Sequence, residues 1–184
     1  IIGEISKEIL TSDPIGALQY SITEGYTPLR DLLKKQMAEK NCFNADIDDL
    51  IITSGAQQAN ELACKVLCSD GDTLICESPS FIGSLNAFKS YNVNLTGVEL
   101  EDDGINIEKL EEAIKNNKNV KLLYVIPNFQ NPTGNTMSWE KRKAVYEAFN
   151  YYVREIGTSP GRGSYSMAIQ ASRMLFQTRK AVAQ

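Results

Sequence analysis

Short apolar, β-branched runs alternate along the chain with segments whose apolar residues recur every three or four positions. Asp49 to Thr53 carries Leu50-Ile51-Ile52 and predicts a strand. Ser54-Gly55 breaks it, and a helix is predicted from about Ala56 to Cys68. Ser69-Asp70-Gly71-Asp72 is a turn, Thr73 to Cys76 a strand, and Ser78-Pro79-Ser80 leads into a helix through Leu85 and Phe88. Asn92 to Leu100 alternates like a strand, with Val93, Leu95 and Val98 as its apolar members. After the turn Asp102-Asp103-Gly104, Asn106 reads as the cap of a helix whose apolar face is Ile107, Leu110 and Ile114. Lys121 to Ile126 is an apolar strand, Pro127 to Thr136 an irregular loop, and Ser138 the cap of a helix carrying Trp139, Val145, Tyr146 and Phe149. Nearer the N-terminus, Thr27-Pro28 reads as a cap followed by proline in the first helical position, with Leu29, Leu32, Leu33 and Met37 at helical spacing. Strands alternating with helices predict an α/β fold with a largely parallel sheet. No internal repeat or low-complexity tract interrupts it.

The chain has 184 residues, which suits one domain or a piece of a larger one, and 42% are hydrophobic, enough for a packed core. No apolar run approaches the roughly 20 residues that cross a membrane, so no membrane partner is expected. Ile1-Ile2-Gly3-Glu4 carries no signal-peptide pattern and no initiator Met, which reads as a processed or cut end. A net charge of −4 without a basic stripe argues against nucleic acid as the main partner. The absence of histidine excludes Ser-His-Asp and Cys-His chemistry and most zinc sites; no metal is expected. Cys42, Cys64, Cys68 and Cys76 lack the spacing of a disulfide framework, which sets a reducing, cytoplasmic setting as the default. Cys64 and Cys68, one helical turn apart, read as small buried hydrophobes.

The composition shifts near residue 147. Twelve Lys and two Arg precede that point; one Lys and four Arg follow, with Glu147 and Glu155 the last acidic residues. The alternation of strand and helix stops there, and Gly157 to Ser164 is turn-prone. Residues 148–184 are therefore expected to be a tail of different origin from residues 1–147, by fusion, frameshift or artefact; a natural helical appendage is the alternative.

In an open parallel sheet, ligands bind beyond the carboxyl ends of the strands, and three junctions there could carry chemistry. At Thr53-Ser54-Gly55-Ala56-Gln57-Gln58, a glycine turn opens a helix whose free N–H groups and dipole suit a phosphate, with the Gln57 amide as a further donor. At Glu77-Ser78-Pro79-Ser80-Phe81, an aromatic at a helix start can stack on a planar ring, though core packing is the default reading of Phe81 taken alone. At Pro127-Asn128-Phe129-Gln130-Asn131-Pro132-Thr133-Gly134, two prolines and a glycine stiffen a loop that presents Asn131 as a hydrogen-bond donor; a plain turn remains open.

Together these segments, with Leu18-Gln19-Tyr20-Ser21, Gly25 and Leu29-Arg30, resemble the fold-type I pyridoxal-phosphate aminotransferases of class I and II. The likeness is greatest to the branch with kynurenine/2-aminoadipate aminotransferases and the aminotransferase-like domains of GntR-type regulators. It covers roughly residues 13 to 147, with four motifs in family order. It implies a three-layer α/β/α, mainly parallel sheet that is part of the large domain, and pyridoxal 5′-phosphate as cofactor. The substrates it implies are an amino acid and a 2-oxo acid. The resemblance assigns the cofactor phosphate to Gly55, Ala56 and Gln57, ring stacking to Phe81, and the ring hydroxyl oxygen to Asn131. Tyr20 would reach the phosphate of a neighbouring subunit, which implies a homodimer.

The departures from the family pattern are specific. The family often has Ser where Ala56 stands. No Asp-x-x-Tyr segment follows Phe149, so the partner of the pyridine nitrogen is missing. Ser159-Pro160-Gly161-Arg162-Gly163 faintly echoes the stretch that follows the family's cofactor-bonding lysine, but the lysine's place holds Ile156. The small domain and its carboxylate-binding arginine are not seen either. Without the lysine, the expectation is a chain that does not transaminate. A ligand-sensing domain of a GntR-type regulator is the alternative, although the helix-turn-helix of such regulators is not seen here. A NAD-binding protein is disfavoured by the missing G-x-G-x-x-G.

Overall fold

The structure is a computed structural model and describes residues 1–40 and 43–151. These fall into two compact units, Ile1–Ile52 and the residues from Thr53 onward.

The first unit is helical. Helix α1 (Ile2–Ser12) buries none of its residues, and Ile2, Ile5 and Ile9 stay exposed along it. Helix α2 (Pro14–Leu18) is a single turn with proline at its start, and Asp13 accepts from Gly16 N at 3.0 Å. Neither helix was anticipated from the hydrophobic pattern. Helix α3 (Thr27–Glu39) begins one residue earlier than expected: Tyr26 is its N-cap, and Thr27 and Pro28 lie inside the first turn. Leu29 and Leu32 remain exposed on it. Its Arg30 is buried and donates from Nε to Leu50 O at 2.7 Å and from Nη2 to Asp49 Oδ1 at 2.9 Å. Lys34 meets the same carboxylate at 2.5 Å. Lys34, then the Leu50 N–H, hold the Asp49 carboxyl down to about 2, with Arg30 adding its charge.

No strand forms over residues 49–53, contrary to the expectation from Leu50-Ile51-Ile52. Leu50 O is taken by Arg30, and Ile52 N donates to Glu24 O at 2.9 Å. The backbone groups a ladder needs are engaged locally, so a β-branched run does not become a strand.

The second unit is the α/β body. It runs α4 (Gly55–Leu67), β1 (Thr73–Ser78), α5 (Ile82–Lys89), β2 (Asn94–Glu101), β3 (Gly104–Ile105), α6 (Ile107–Asn116), β4 (Val120–Tyr124) and α7 (Trp139–Tyr151). The sheet order is β3-β2-β1-β4. β2 and β4 both run parallel to β1, and β3 pairs antiparallel with β2 through Leu100 and Ile105. β3 escaped the sequence reading because two residues carry no periodicity.

Alternation along β1 builds two cores. Leu74 and Cys76 pack with Cys64 of α4 and Phe88 of α5 on one face. Ile75 packs on the other with Leu110 and Ile114 of α6 and Val145 of α7. Helices thus cover both faces of a mainly parallel sheet, the three-layer α/β/α arrangement expected. Asn106 caps α6 as anticipated, accepting from Lys109 N at 2.9 Å, and Ser138 accepts from Lys141 N at 3.3 Å at the start of α7. Cys64, Cys68 and Cys76 are free thiols; burial pushes Cys68 up to about 12 and Cys76 up to about 11, which makes them packing groups rather than nucleophiles. Cys42 and residues 152–184, hence nearly all of the expected tail including Ile156, lie outside the described residues. Among the described residues, no helix is long and apolar enough to cross a membrane.

Candidate functional site

The first junction is the start of α4. Gly55 has φ +81°, in the left-handed region that favours glycine, and a Cβ there would meet no atom within 4 Å. The space in front of the turn is open. Ser54, the N-cap, makes no capping bond with its side chain; its own N–H donates to Gln58 Oε1 at 2.6 Å. The first-turn amides are therefore left without a side-chain cap, at the positive end of a 13-residue helix. Ala56 is exposed on this turn. Gln57 Nε2 donates one hydrogen to Gly83 O at 3.0 Å, which ties the start of α4 to the start of α5.

The second junction follows β1. Phe81 is the N-cap of α5 and 37% exposed. Its ring lies against Gly83, where a Cβ would come within 2.7 Å of Phe81 Cε1. Phe81 belongs to neither core cluster, so the core-packing reading gives way to a ring at the rim of the sheet. The neighbouring Ser80 Oγ is buried and has no hydrogen-bond partner. Further into α5, Ser84 Oγ accepts from Asn60 Nδ2 at 3.1 Å and shares a hydrogen bond with Tyr124 OH at 2.9 Å, joining α4, α5 and β4.

The third junction follows β4. Asn131 is exposed, and the residue before it is not: Gln130 is 4% exposed. Gln130 Nε2 donates to Glu77 Oε2 at 3.1 Å and to Pro79 O at 2.9 Å. Glu77 Oε2 also accepts from Ile126 N at 3.0 Å. Burial pushes the Glu77 carboxyl up, and the Gln130 and Ile126 donors pull against that shift. At the far end of the loop, Arg142 donates to Met137 O and Pro127 O, each at 2.8 Å. The three junctions are thus stitched side by side at the carboxyl ends of β1 and β4. The Gln57 bond joins the first to the second, and the Gln130 bonds join the third to the second.

Of the residues singled out from sequence, Gly55, Ala56, Gln57, Phe81 and Asn131 all fall on these junctions. Tyr20 lies in the first unit and is 99% exposed. Sequence reasoning missed Arg142, Ser84 and Tyr124. Gln130 and Glu77 each stood inside a quoted motif without a role. Among the described residues, no cluster of three or more His, Cys, Asp or Glu side chains is arranged for a metal ion. An open glycine turn, an uncapped helix start, a rim aromatic and an unpartnered buried hydroxyl fit a phosphorylated planar ring.

The model of the family "Aminotransferase class I and II" matches residues 5–153. An aromatic-amino-acid aminotransferase of Thermococcus litoralis is 42% identical over 156 residues, covering 83% of this chain and 37% of that protein. An HTH-type transcriptional regulator of Bacillus subtilis, YisV, is 30% identical over 154 residues, covering 78% of this chain and 31% of that protein. The crystal structure of Pyrococcus horikoshii kynurenine aminotransferase, solved with PMP, matches with a TM-score of 0.73 and 38% identity, over 82% of this chain and 38% of that one. The chain thus spans between 31% and 38% of the length of these relatives. Kynurenine and aminoadipate aminotransferases are both among the proteins it resembles, and the family is one of pyridoxal-phosphate enzymes. The chain belongs to the class I and II aminotransferases, as a part of their large α/β domain.

Proposed function

We propose that this chain is the cofactor-holding part of an aminotransferase that moves an amino group from an amino acid to a 2-oxo acid. The observation that carries the reading is the stitching of three loop-to-helix junctions around one open glycine turn. The backbone N–H groups of Ala56 and Gln57, with the second hydrogen of Gln57 Nε2, would hold a phosphate beyond Gly55. Phe81 would cover one face of the pyridine, and Asn131 would donate to the ring hydroxyl oxygen. Tyr20, fully exposed, is assigned to the phosphate of a second copy in a homodimer. When bound, pyridoxal phosphate supplies the electron sink that carries the amino group between substrates. The setting we assign is cytoplasmic and the role biosynthetic. We further assign residues 1–147 to the large domain and residues 148–184 to a tail of separate origin, and infer that this chain alone does not transaminate.

Pyridoxamine 5′-phosphate is the probe, because it does not react with lysine amines. The chain is expected to bind it reversibly, with an induced circular dichroism band from the ring. Phe81→Ala is expected to abolish that band, and Gln57→Ala to weaken binding by roughly tenfold, the worth of about 1.4 kcal/mol. A wild-type chain that shows no binding by equilibrium dialysis would sink the reading.

The match to YisV favours one alternative, a ligand-sensing domain of a GntR-type regulator. The two readings part at chemistry in the longer protein that contains this segment. Accumulation of a 2-oxo acid from the donor supports the enzyme; release of the donor unchanged supports the sensor.

A further inference from the structure

Gln130 is a saturated buried cross-link. Its Nε2 has two hydrogens, and both are used, on Glu77 Oε2 and Pro79 O. Its Oε1 has two lone pairs, and both are used, by Thr133 N at 3.0 Å and Thr133 Oγ1 at 2.8 Å. Its backbone N–H donates to Asn135 O at 2.8 Å. Glu77, 2% exposed, holds the other side, gripping both the entry of the loop at Ile126 and its middle at Gln130. Glu77 and Pro79 lie on the path to Phe81; Gln130 is covalently next to Asn131. A polar network of this kind, with the amide fully satisfied, fixes geometry more than it adds stability.

We propose that Glu77 and Gln130 are positioning residues: a buried pin that locks the Phe81 loop to the Asn131 loop and so sets the preference of the site for a ring bearing a free hydroxyl. The second half of this statement rests on the function proposed above; the first half does not. Phe81 covers the ring face and Asn131 meets its edge, so the two must keep one separation for both contacts to form. Removing the pin releases the relation between the two loops; Gln130→Ala also removes the two Thr133 bonds within the Asn131 loop, which Gln130→Glu keeps acceptors for.

Two measurements on the 184-residue chain decide the matter. The first is amide hydrogen exchange of the free chain. In Gln130→Ala, residues 79–82 and 126–135 are expected to lose protection together by about tenfold or more, while β1 and α6 keep theirs. Loss confined to one loop overturns the pin. Because Gln130→Ala risks misfolding, a reversal is paired with it. Gln130→Glu sets two buried carboxylates together and is expected to show the same coupled loss. Adding Glu77→Gln to it restores a donor facing an acceptor and is expected to recover most of the protection. A double variant no better than Gln130→Glu also overturns the pin.

The second measurement is binding of pyridoxamine 5′-phosphate against its 3-O-methyl derivative. The wild-type chain is expected to prefer the free hydroxyl by roughly tenfold, the worth of one hydrogen bond. Gln130→Ala is expected to fall to within about twofold while retaining phosphate-dependent binding. A variant that keeps the wild-type preference overturns the ring-selecting role. A wild-type chain that binds neither ring overturns the proposed function, and the ring-selecting role with it, while exchange still decides the pin.

Discussion

Glu77 places a carboxylate in the core with an amide, a backbone N–H and no cation against it, and the consequence is a pH dependence with a definite sign. The folded group titrates above its unfolded value, so the native state holds the extra proton between the two. Its contribution to stability is therefore complete below the unfolded pKa and lost as pH rises through the folded one. Glu77→Gln cannot titrate and keeps an acceptor for Ile126 N and Gln130 Nε2. Urea midpoints at about pH 4 and about pH 8 should fall for the wild type across that interval and fall less for the variant. Equal falls would place the cost on another group. The same residue marks the limit of the sequence as a guide. Gly55, Phe81 and Asn131 were recognisable because each sits in a local motif, and Phe81 and Asn131 also follow strands. The Glu77–Gln130 pair spans 53 positions, and no local pattern announces a hydrogen bond across that distance.

Helix starts do two kinds of work in this fold, and they separate cleanly on mutation. Asn106 stabilises α6: it accepts from Lys109 N at 2.9 Å and donates to Glu101 Oε1 at 2.7 Å. Asn106→Ala is expected to cost about 1 kcal/mol and lower the melting temperature by about 3 °C, with no change in pyridoxamine phosphate binding. At α4 the N-cap Ser54 makes no side-chain bond, and Gly55 leaves the front of the turn open. Gly55→Ala strains a backbone held at φ +81° and should cost about 1–2 kcal/mol, and it should also weaken pyridoxamine phosphate by about tenfold. Calorimetry with dialysis checks both; weakened binding in Asn106→Ala, or intact binding in Gly55→Ala, would contradict the division. Caps of this type were visible in sequence because they depend on residues three apart. The segment 49–53 was misread for the opposite reason: a strand needs a neighbour, and here Arg30 and Glu24 take its backbone groups first.

Transamination asks for more than a held ring: it needs an amine at the site to anchor the cofactor and to move a proton at the substrate Cα. The second unit has eight described lysines, and none is placed for that work. Lys65 and Lys89 lie in the last turns of α4 and α5, and Lys118 and Lys121 flank the start of β4, all at the amino ends of the parallel strands. The junctions lie at the carboxyl ends, across the sheet. The other four are ion-paired: Lys109 with Glu99, Lys115 with Glu111, Lys141 with Glu101 and Asp103, and Lys143 with Glu147. This arrangement was only half legible, since the missing lysine motif could be noticed but the positions of those present needed the sheet. The expected outcome is that the 184-residue chain, given pyridoxal phosphate, several amino donors and 2-oxoglutarate, forms glutamate no faster than pyridoxal phosphate alone. Free cofactor transaminates slowly in solution, so that control sets the floor. Sustained glutamate formation above it would mean that an amine outside these eight reaches the site, and borohydride reduction followed by peptide mapping would identify which.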